Sequence, residues 1–497
     1  MTYTLGIDIG TFESKGVLVD AEGAIVATAA RPHKMLVPQP GWAEHRPNED
    51  WWSDFCFLSQ KLIADSGVAP ADIKAVGASA IGPCMLPVDK AGEPLMNGVL
   101  YGVDTRAAAE IAELTEQIGE AALLDRSGNA LTSQSVGPKI LWLKRNRPEI
   151  FAKAHKIVGA TTFIVQKLTG ACVIDHYSAS SSSPLYDVAT QSWSDALAPG
   201  LVDLDRLPAL NWTTDIVGSV TSEAAAATGL AAGTPVITGT IDAAAEAVSV
   251  GVRSPGDLML MYGSTMFMIM VTATRGQDAR LWYAPWLYPG QHASMAGLAT
   301  SGTLTHWFRE QFARDLAPAE ALKVLTAEAE ASPPGAKGLI LLPYFSGERT
   351  PIHDTQAKGV LFGLDLTHTR GDIYRSLLEG IAYGTNHVLA TYADAGQTAK
   401  SIEAVGGGTK NAVWGQAISD VSGQTQSVRE KTIGASYGDA FLAAMAIGAV
   451  KPGDIEAWNP RAFDIHPKTK NAEVYRRRFA LFKDLYVQAR DLMHRPV

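Results

Sequence analysis

LGIDIGTFESKGVLVD, residues 5–20, is the stretch on which the fold reading turns. In an extended chain, successive side chains point to opposite faces. Leu5, Ile7 and Ile9 therefore share one face. Gly6, Asp8 and Gly10 share the other, which is bare except for one carboxylate. A polar turn from Thr11 to Lys15 and a second apolar run, Val17-Leu18-Val19, complete the pattern. It predicts a hairpin whose tip can admit an anion and whose first strand presents Asp8 beside it.

Working outward, the same grammar returns about 250 residues later in DLMLMYGSTMFMIMVT, residues 257–272: apolar strand, Gly263-Ser264-Thr265, apolar strand. A second pair of look-alikes is IKAVGASA (Ile73 to Ala80) and IEAVGGGT (Ile402 to Thr409). A glycine-turn hairpin followed by an AVG strand thus occurs once in each half, which points to two related α/β domains. The boundary falls near Val248 to Pro255, giving domains of residues 1–247 and 248–497. Helices are predicted at Ala243 to Val248, and over residues 372–392, where Ile373, Leu377 and Ile381 recur every fourth position. The charged, amphipathic run from Ala472 to Met493 reads as a closing helix.

Composition narrows the class. The 497 residues are 46% hydrophobic and 19% charged, an ordinary globular balance for two large domains. The net charge of −9 gives no basic surface of the kind a nucleic-acid binder needs. Cys56, Cys84 and Cys172 are odd in number and far apart, so neither a disulfide framework nor a zinc cluster follows. The start MTYTLGIDIG has no signal-peptide pattern. The longest uncharged stretch, Leu258 to Thr274, falls short of the roughly 20 apolar residues of a membrane helix. A cytoplasmic protein with no nucleic-acid or membrane partner is expected.

Neither a G-x-x-x-x-G-K-[ST] loop nor a G-x-G-x-x-G after the first strand is present. Residues 434–438 satisfy G-x-S-x-G, but Arg429, Glu430 and Lys431 lie where a nucleophile elbow needs an apolar strand. Small residues for close helix packing explain that stretch better. Asp8 is a sharper candidate. A carboxylate inside an apolar strand needs a cation or donors, because burying it unpaired costs several kcal/mol. Neighbouring backbone is one solution. A magnesium ion, bound directly or through its waters, is another and suits a hard oxygen ligand facing a phosphate turn. Thr11 and Lys15 would then contact phosphates, although Lys15 also reads as a solvated surface charge.

Asp242 follows the apolar strand Pro235 to Thr238 and opens an alanine-rich helix. It reads as an N-cap, as a general base for a hydroxyl nucleophile, or as both. Gly406-Gly407-Gly408-Thr409-Lys410-Asn411 lies between a strand and a helix start, where close backbone approach and free N–H groups suit a phosphate or nucleotide. A tight turn is the simpler reading, as an ordinary hairpin turn is for Gly263-Ser264-Thr265. Trp42, Trp51 and Trp52 read as packing residues.

Taken together, these segments resemble the FGGY carbohydrate kinases along nearly the whole chain. The opening hairpin, PGWAEHRPNEDWW, the stretches around Asp104 to Arg106 and Asp175 to Ser180, LPYFSGERTP, and GGGTKNAVWGQAISDVSG followed by GASYGDAFLAAMAIG occur in the family's order. The resemblance implies two actin-like, ribonuclease-H-like ATPase domains with an interdomain active-site cleft, using ATP and Mg2+. It implies Asp242 as base, Asp8 at the magnesium, and Thr11, Lys15 and Gly263, Ser264 and Thr265 around the phosphates. Gly407, Gly408 and Asn411 would line the nucleoside. A homodimer is a family-level expectation.

For the sugar, glycerol is disfavoured because the glycerol kinases' Asn-Gln-Arg-Glu-like run is replaced here by Ala80-Ile81-Gly82-Pro83-Cys84. The same run sets Gly82-Pro83 where xylulose kinases carry a Met-His pair. Length and the GWAEH and DTRA stretches look like the xylulokinase and gluconokinase branch. Gly82, Pro83 and Asp104 are the candidate sugar contacts, with an ion pair to Arg106 the alternative for Asp104. The expected activity is phosphorylation of a ketopentose such as xylulose, with gluconate or another polyol or ketose next. An actin- or chaperone-like ATPase is the alternative from another class, and it would need neither Asp242 nor the GWAEHRP stretch.

Overall fold

Both predicted hairpins form. In the computed structural model, which describes residues 2–495, β1 (Tyr3–Ile9) and β2 (Glu13–Asp20) pair antiparallel with Asp8 opposite Lys15. β3 (Ile25–Pro32) continues the meander beside β2. On the other side of β1, β4 (Ile73–Ala80) runs parallel and sets Ser79 next to Asp8. Beyond it lie β5 (Ile216–Ser219) and β6 (Pro235–Ile237), with β6 parallel to β4 and β5 antiparallel to β6. The sheet order is β3-β2-β1-β4-β6-β5. Leu5, Ile7 and Ile9 are fully buried in one cluster with Phe55, Leu58 and Leu62 of α1 (Ser53–Ser66). Trp51 is fully buried there and Trp52 stacks on Phe55, so both pack as expected. α2 (Asp242–Ser249) starts one residue before the predicted helix.

The second half repeats the plan. β7 (Asp257–Tyr262) and β8 (Met266–Thr272) pair antiparallel, and β9 (His292–Leu298) lies beside β8. β10 (Ser401–Val405) runs parallel to β7, β11 (Gln426–Arg429) parallel to β10, and β12 (Arg461–Ile465) antiparallel to β11. The order β9-β8-β7-β10 matches β3-β2-β1-β4 of the first sheet. Beyond it the edge strand β12 follows β11 in the chain, whereas β5 precedes β6, and Trp282–Pro285 adds a strand outside β9. The IKAVG and IEAVG look-alikes are thus equivalent strands, each parallel to the first strand of its hairpin. α3 (Arg370–Asp394) opens with a reciprocal capping box between Thr369 and Asp372, and α4 (Ala412–Ser422) opens on Asn411.

The chain then forms α5 (Ala435–Ala446), whose position explains the bare face of β1. A Cβ on Gly6 would lie 1.9 Å from the Ser436 carbonyl oxygen, and one on Gly77 2.3 Å from that of Asp439. Glycine lets the helix backbone rest directly on β1 and β4. α5 also meets α2 this closely, since a Cβ on Gly438 would lie 1.9 Å from the Ala245 oxygen. Ser436 is fully buried inside this helix, so G-x-S-x-G here is a packing motif, not an exposed elbow. The closing helix, α6 (Ala472–Met493), has the predicted limits.

Two compact units result. The first takes the chain up to Arg253 together with Ala273–Ala293 and Ile433–Pro460; the second takes Ser254–Thr272, Ser294–Thr432 and the chain from Arg461 on. The first crossing falls within the predicted boundary region. α5 nevertheless belongs with the first unit, because its small residues pack backbone-deep against β1, β4 and α2. No helix among the described residues is long and apolar enough to cross a membrane.

This packing is testable. Gly77→Ala should overpack the α5 contact and cost about 2 kcal/mol, read as a lowered urea midpoint. Gly407→Ala, where a Cβ meets nothing within 4 Å, should leave the midpoint unchanged. Equal midpoints for the two variants would mean that α5 does not rest on the sheet in this way.

Candidate active site

The site begins at the carboxyl end of β1. The register sets Asp8 between Lys15 on β2 and Ser79 on β4. Ser79 Oγ lies 3.1 Å from Asp8 Oδ1 and 2.7 Å from Asp439 Oδ2. One hydroxyl has one proton to give. Serving both carboxylates therefore requires one of the two acids to carry a proton. Asp439 is fully buried and Asp8 only partly so, which makes Asp439 the donor to Ser79 and Ser79 the donor to Asp8.

Electrostatics agree with that count. Burial pushes Asp439 well above the usual carboxylate range, and the charges of Asp8 and Asp242 push it further. Burial raises Asp8 in the same way, with Asp242 and Glu246 adding repulsion against the weaker pull of Ser79 and Lys15. Asp242 is lifted to about 7, chiefly by burial and then by Glu246, against the Ala243 amide that it accepts at 2.7 Å. Glu246, one turn on, is raised by burial in spite of Lys15 and the Ala435 amide. Four acids thus share one field, facing Lys15, whose ammonium also pairs with Glu13 at 3.4 Å. The N-cap of α2 is Ile241. Asp242, half-buried, is the first helical residue and leaves its carboxylate largely unspent.

The sugar-side candidates lie in the same unit. Gly82 and Pro83, joined by a cis peptide, line a cavity of ≈ 40 Å³ with Cys84, Asp175, Ser178 and Ile241. Asp175 is lifted to about 6 by burial, although Ser178, Thr240 and Thr213 donate to it. Asp104 is buried and takes the ion pair. It accepts from Arg106 Nε at 2.9 Å, from Arg106 Nη2 at 2.8 Å and from the Ala43 amide at 2.7 Å. Arg106 also reaches Glu44 and lies over Trp42. Asp104 therefore ties PGWAEH to the DTRA stretch.

The second unit carries the other glycine turns. Gly263 and Ser264 have their carbonyls bound by residues 301–303 at a helix start: Gly302 N and Ser301 Oγ reach Gly263 O at 3.0 and 3.1 Å, and Thr303 N reaches Ser264 O at 3.1 Å. Gly263, Ser264, Gly407, Gly408, Lys410, Asn411, Trp414 and Tyr374 line a pocket of ≈ 780 Å³. Asn411 caps α4 by accepting the Trp414 amide at 3.1 Å. Thr265 sits in the same turn and is not among the residues lining the pocket.

A Cβ on Gly407 would meet no protein atom within 4 Å, and its backbone φ is not one that demands glycine. A bare backbone facing a roomy pocket fits close approach by a nucleoside. For magnesium, no three His, Cys, Asp or Glu residues among the described ones form a cage. Asp8 holds one protein hydrogen bond within a cluster of like charges. That donor set fits an ion bound by one carboxylate, waters and phosphate oxygens.

Asp439, Ser79 and Glu246 escaped the sequence reading. Asp439 stands in GASYGDAFLAAM, where small residues point to packing and obscure a functional acid. The usable signal was Ser79, which precedes Ala80 at a strand end equivalent to that of Asp8.

Residues 3–249 match the N-terminal domain, and residues 258–447 the C-terminal domain, of the FGGY family of carbohydrate kinases. A xylulose kinase of Bacillus subtilis (strain 168) is 28% identical over 497 residues, covering 99% of this chain and 98% of that protein. A xylulose kinase of Escherichia coli (strain K12) is 29% identical over 98% of this chain and 99% of its own length. The crystal structure of xylulose kinase from Rhodospirillum rubrum superposes with a TM-score of 0.93 at 32% identity, covering 99% of this chain and 100% of that one.

The acid cluster yields a stability prediction. Asp439 is raised in the folded state, so its charge costs nothing below about pH 4, and the cost grows as pH climbs toward the folded value. Asp439→Asn supplies the same donor to Ser79 without that charge. Its melting temperature should exceed wild type at pH 8 and converge with it at pH 4. A variant that melts lower at pH 8 would show that the buried acid is paired by something else.

Proposed function

The chain belongs to the FGGY family of carbohydrate kinases, and on that basis we propose that it transfers the γ-phosphoryl group of ATP to a hydroxyl of xylulose or a close ketopentose. The Bacillus subtilis, Escherichia coli and Rhodospirillum rubrum relatives, each similar over its full length, are named xylulose kinases. The observation that carries the chemistry is Asp242: an accessible carboxylate, raised to about 7, in the field of Asp8. A base near neutrality takes a hydroxyl proton most effectively when it is ionised at the working pH and not already spent on a cation.

In this reading Asp242 accepts the proton of the sugar hydroxyl as its oxygen attacks the γ-phosphorus. Positioning and charge neutralisation supply most of the remaining rate enhancement. Asp8 holds Mg2+, which neutralises phosphate charge when bound. Lys15 and the Thr11 turn serve the phosphates, as do Gly263, Ser264 and Thr265 on the other hairpin. Gly407, Gly408 and Asn411 take the nucleoside. Asp104 serves the sugar side by fixing Ala43 and Arg106, and Gly82 and Pro83 line the sugar-side cavity. Residues 1–247 thus supply the base and sugar contacts, and 248–497 the nucleoside pocket. A second acceptor, gluconate or another open-chain polyol, is kept because the family resemblance implies a Met-His pair in xylulose kinases where this chain has Gly82-Pro83.

ADP release from MgATP should be stimulated strongly by one sugar in a panel of ketopentoses, gluconate and small polyols. Turnover indifferent to every sugar would favour the ATPase reading. Asp242→Asn should lower kcat by about 10²–10⁴ with ATP binding intact. Because burial raises this acid, wild-type kcat/KM should fall as pH drops below about 7, and the residual activity of the variant should lack that limb. Gly407→Ala should raise KM for ATP with no loss of thermal stability, since its Cβ would meet no protein atom within 4 Å. An unchanged KM would place the nucleoside elsewhere.

A further inference from the structure

The tip of the first hairpin is held from behind by two buried histidines. Gly10 O lies 3.0 Å from His33 Nε2, Thr11 O lies 3.1 Å from His45 Nε2, and Phe12 O accepts the His33 amide at 2.9 Å. Each carbonyl of the tip is therefore occupied. Among the described residues, the amides of Thr11 and Phe12 donate to no backbone carbonyl.

Hydrogen-bond bookkeeping assigns the protons. Trp51 Nε1, which can only donate, points at His45 Nδ1 at 3.0 Å. His45 Nδ1 must accept, so Nε2 carries the proton given to Thr11 O, and the ring is neutral. Burial, then His33, lowers its basicity to about 4, in agreement. His33 faces an acceptor at each nitrogen: Asp54 Oδ2 at 2.8 Å from Nδ1, and Gly10 O at Nε2. Both nitrogens then carry protons, and His33 is an imidazolium. Burial opposes that charge, but the bond to Asp54 and its negative charge outweigh it. Asp54 is itself fixed by Ser14 Oγ at 2.8 Å and Arg31 Nε at 3.2 Å. The two rings meet edge to face with centroids 4.9 Å apart.

Such a network is more than a surface turn requires. Phe12 at the tip is 61% exposed, so water could satisfy these carbonyls. Burying an imidazolium, a carboxylate and a second imidazole to do it carries a desolvation cost. The second hairpin meets the same need differently, with Ser301, Gly302 and Thr303 binding the carbonyls of Gly263 and Ser264. In both turns the carbonyls are drawn to the protein, and a turn with its oxygens tied back offers N–H groups to an anion.

Given the phosphate-hairpin reading, on which this rests, we propose that His33 and His45 are positioning residues for phosphoryl transfer. They pull the Gly10 and Thr11 carbonyls away so that the Thr11 and Phe12 amides face the terminal phosphate of ATP. They do not touch the reacting atoms. This gives the His45 of GWAEHRP a task that packing alone does not.

The test uses the full-length protein with MgATP and whichever of xylulose and gluconate it turns over. His45→Phe keeps a ring but loses the donor, and should lower kcat by ~10²-fold with the sugar KM unchanged. His45→Gln restores an N–H near the Nε2 position and should recover most of the loss. Equal damage in both variants, or full kcat in His45→Phe, would overturn the proposal. Amide hydrogen exchange gives a second measurement independent of variants and turnover. Adding a non-hydrolysable ATP analogue with Mg2+ to the wild type should protect Thr11 and Phe12, and their continued free exchange at saturating analogue would also overturn it. Absent sugar-stimulated turnover with those amides still protected would instead count against the kinase reading and leave the clamp standing.

Discussion

Like-charged carboxylates are forced together where α5 presses on a sheet stripped of side chains. Asp8, Asp242, Glu246 and Asp439 would lower their energy by moving apart. They cannot, because Gly6, Gly77 and Gly438 let backbone pack against backbone, and that contact fixes where each acid stands. Burial raises the proton affinity of all four, and repulsion from neighbouring acids adds to it at Asp8, Asp242 and Asp439. A site of this kind awaits positive charge. It also keeps one carboxylate basic enough to accept a hydroxyl proton near neutral pH, which a well-paired Asp could not do.

The fold was legible in the sequence to an unusual depth because its deciding signals are local. Alternation in residues 5–20 specified a strand with one bare face, and the recurrence in residues 257–272 specified a second copy. The helix limits at residues 472 and 493 followed from periodicity alone. What stayed hidden was non-local. Nothing near residue 439 announces that it will sit 2.7 Å from the hydroxyl of Ser79, 360 positions away. The return of α5 to the first unit is a tertiary choice made by small residues, and small residues read as packing wherever they occur. Asp104 shows the converse. Its motif stood out, yet the geometry spends its oxygens on Arg106 and Ala43.

The two sheets share the arrangement of their first four strands, and each places a short glycine-containing turn at the end of its first strand. The likeness stops at how each turn is braced. In the second unit the brace is a helix start, whose N–H groups are permanent and independent of pH. In the first it is a pair of imidazoles, one neutral and one charged, each fixed by a buried partner. The difference follows from what stands behind each turn. The first hairpin is backed by His33, which follows β3, and by His45 of the short strand Glu44–His45 that leads into the helical turn Pro47–Trp52.

A brace built from side chains has a consequence that a helix start lacks. Each imidazole must hold one proton state, so the partners that fix it become part of the site although they are remote from it. Trp51 sets the tautomer of His45, and Asp54 sets the charge of His33. The buried Trp51 belongs to the core by packing, yet its indole N–H decides which nitrogen of His45 points at the turn. Core and site are therefore not separable in this unit. The tryptophan that packs in the core beside α1 also orients the hydrogen bond that shapes the first hairpin turn.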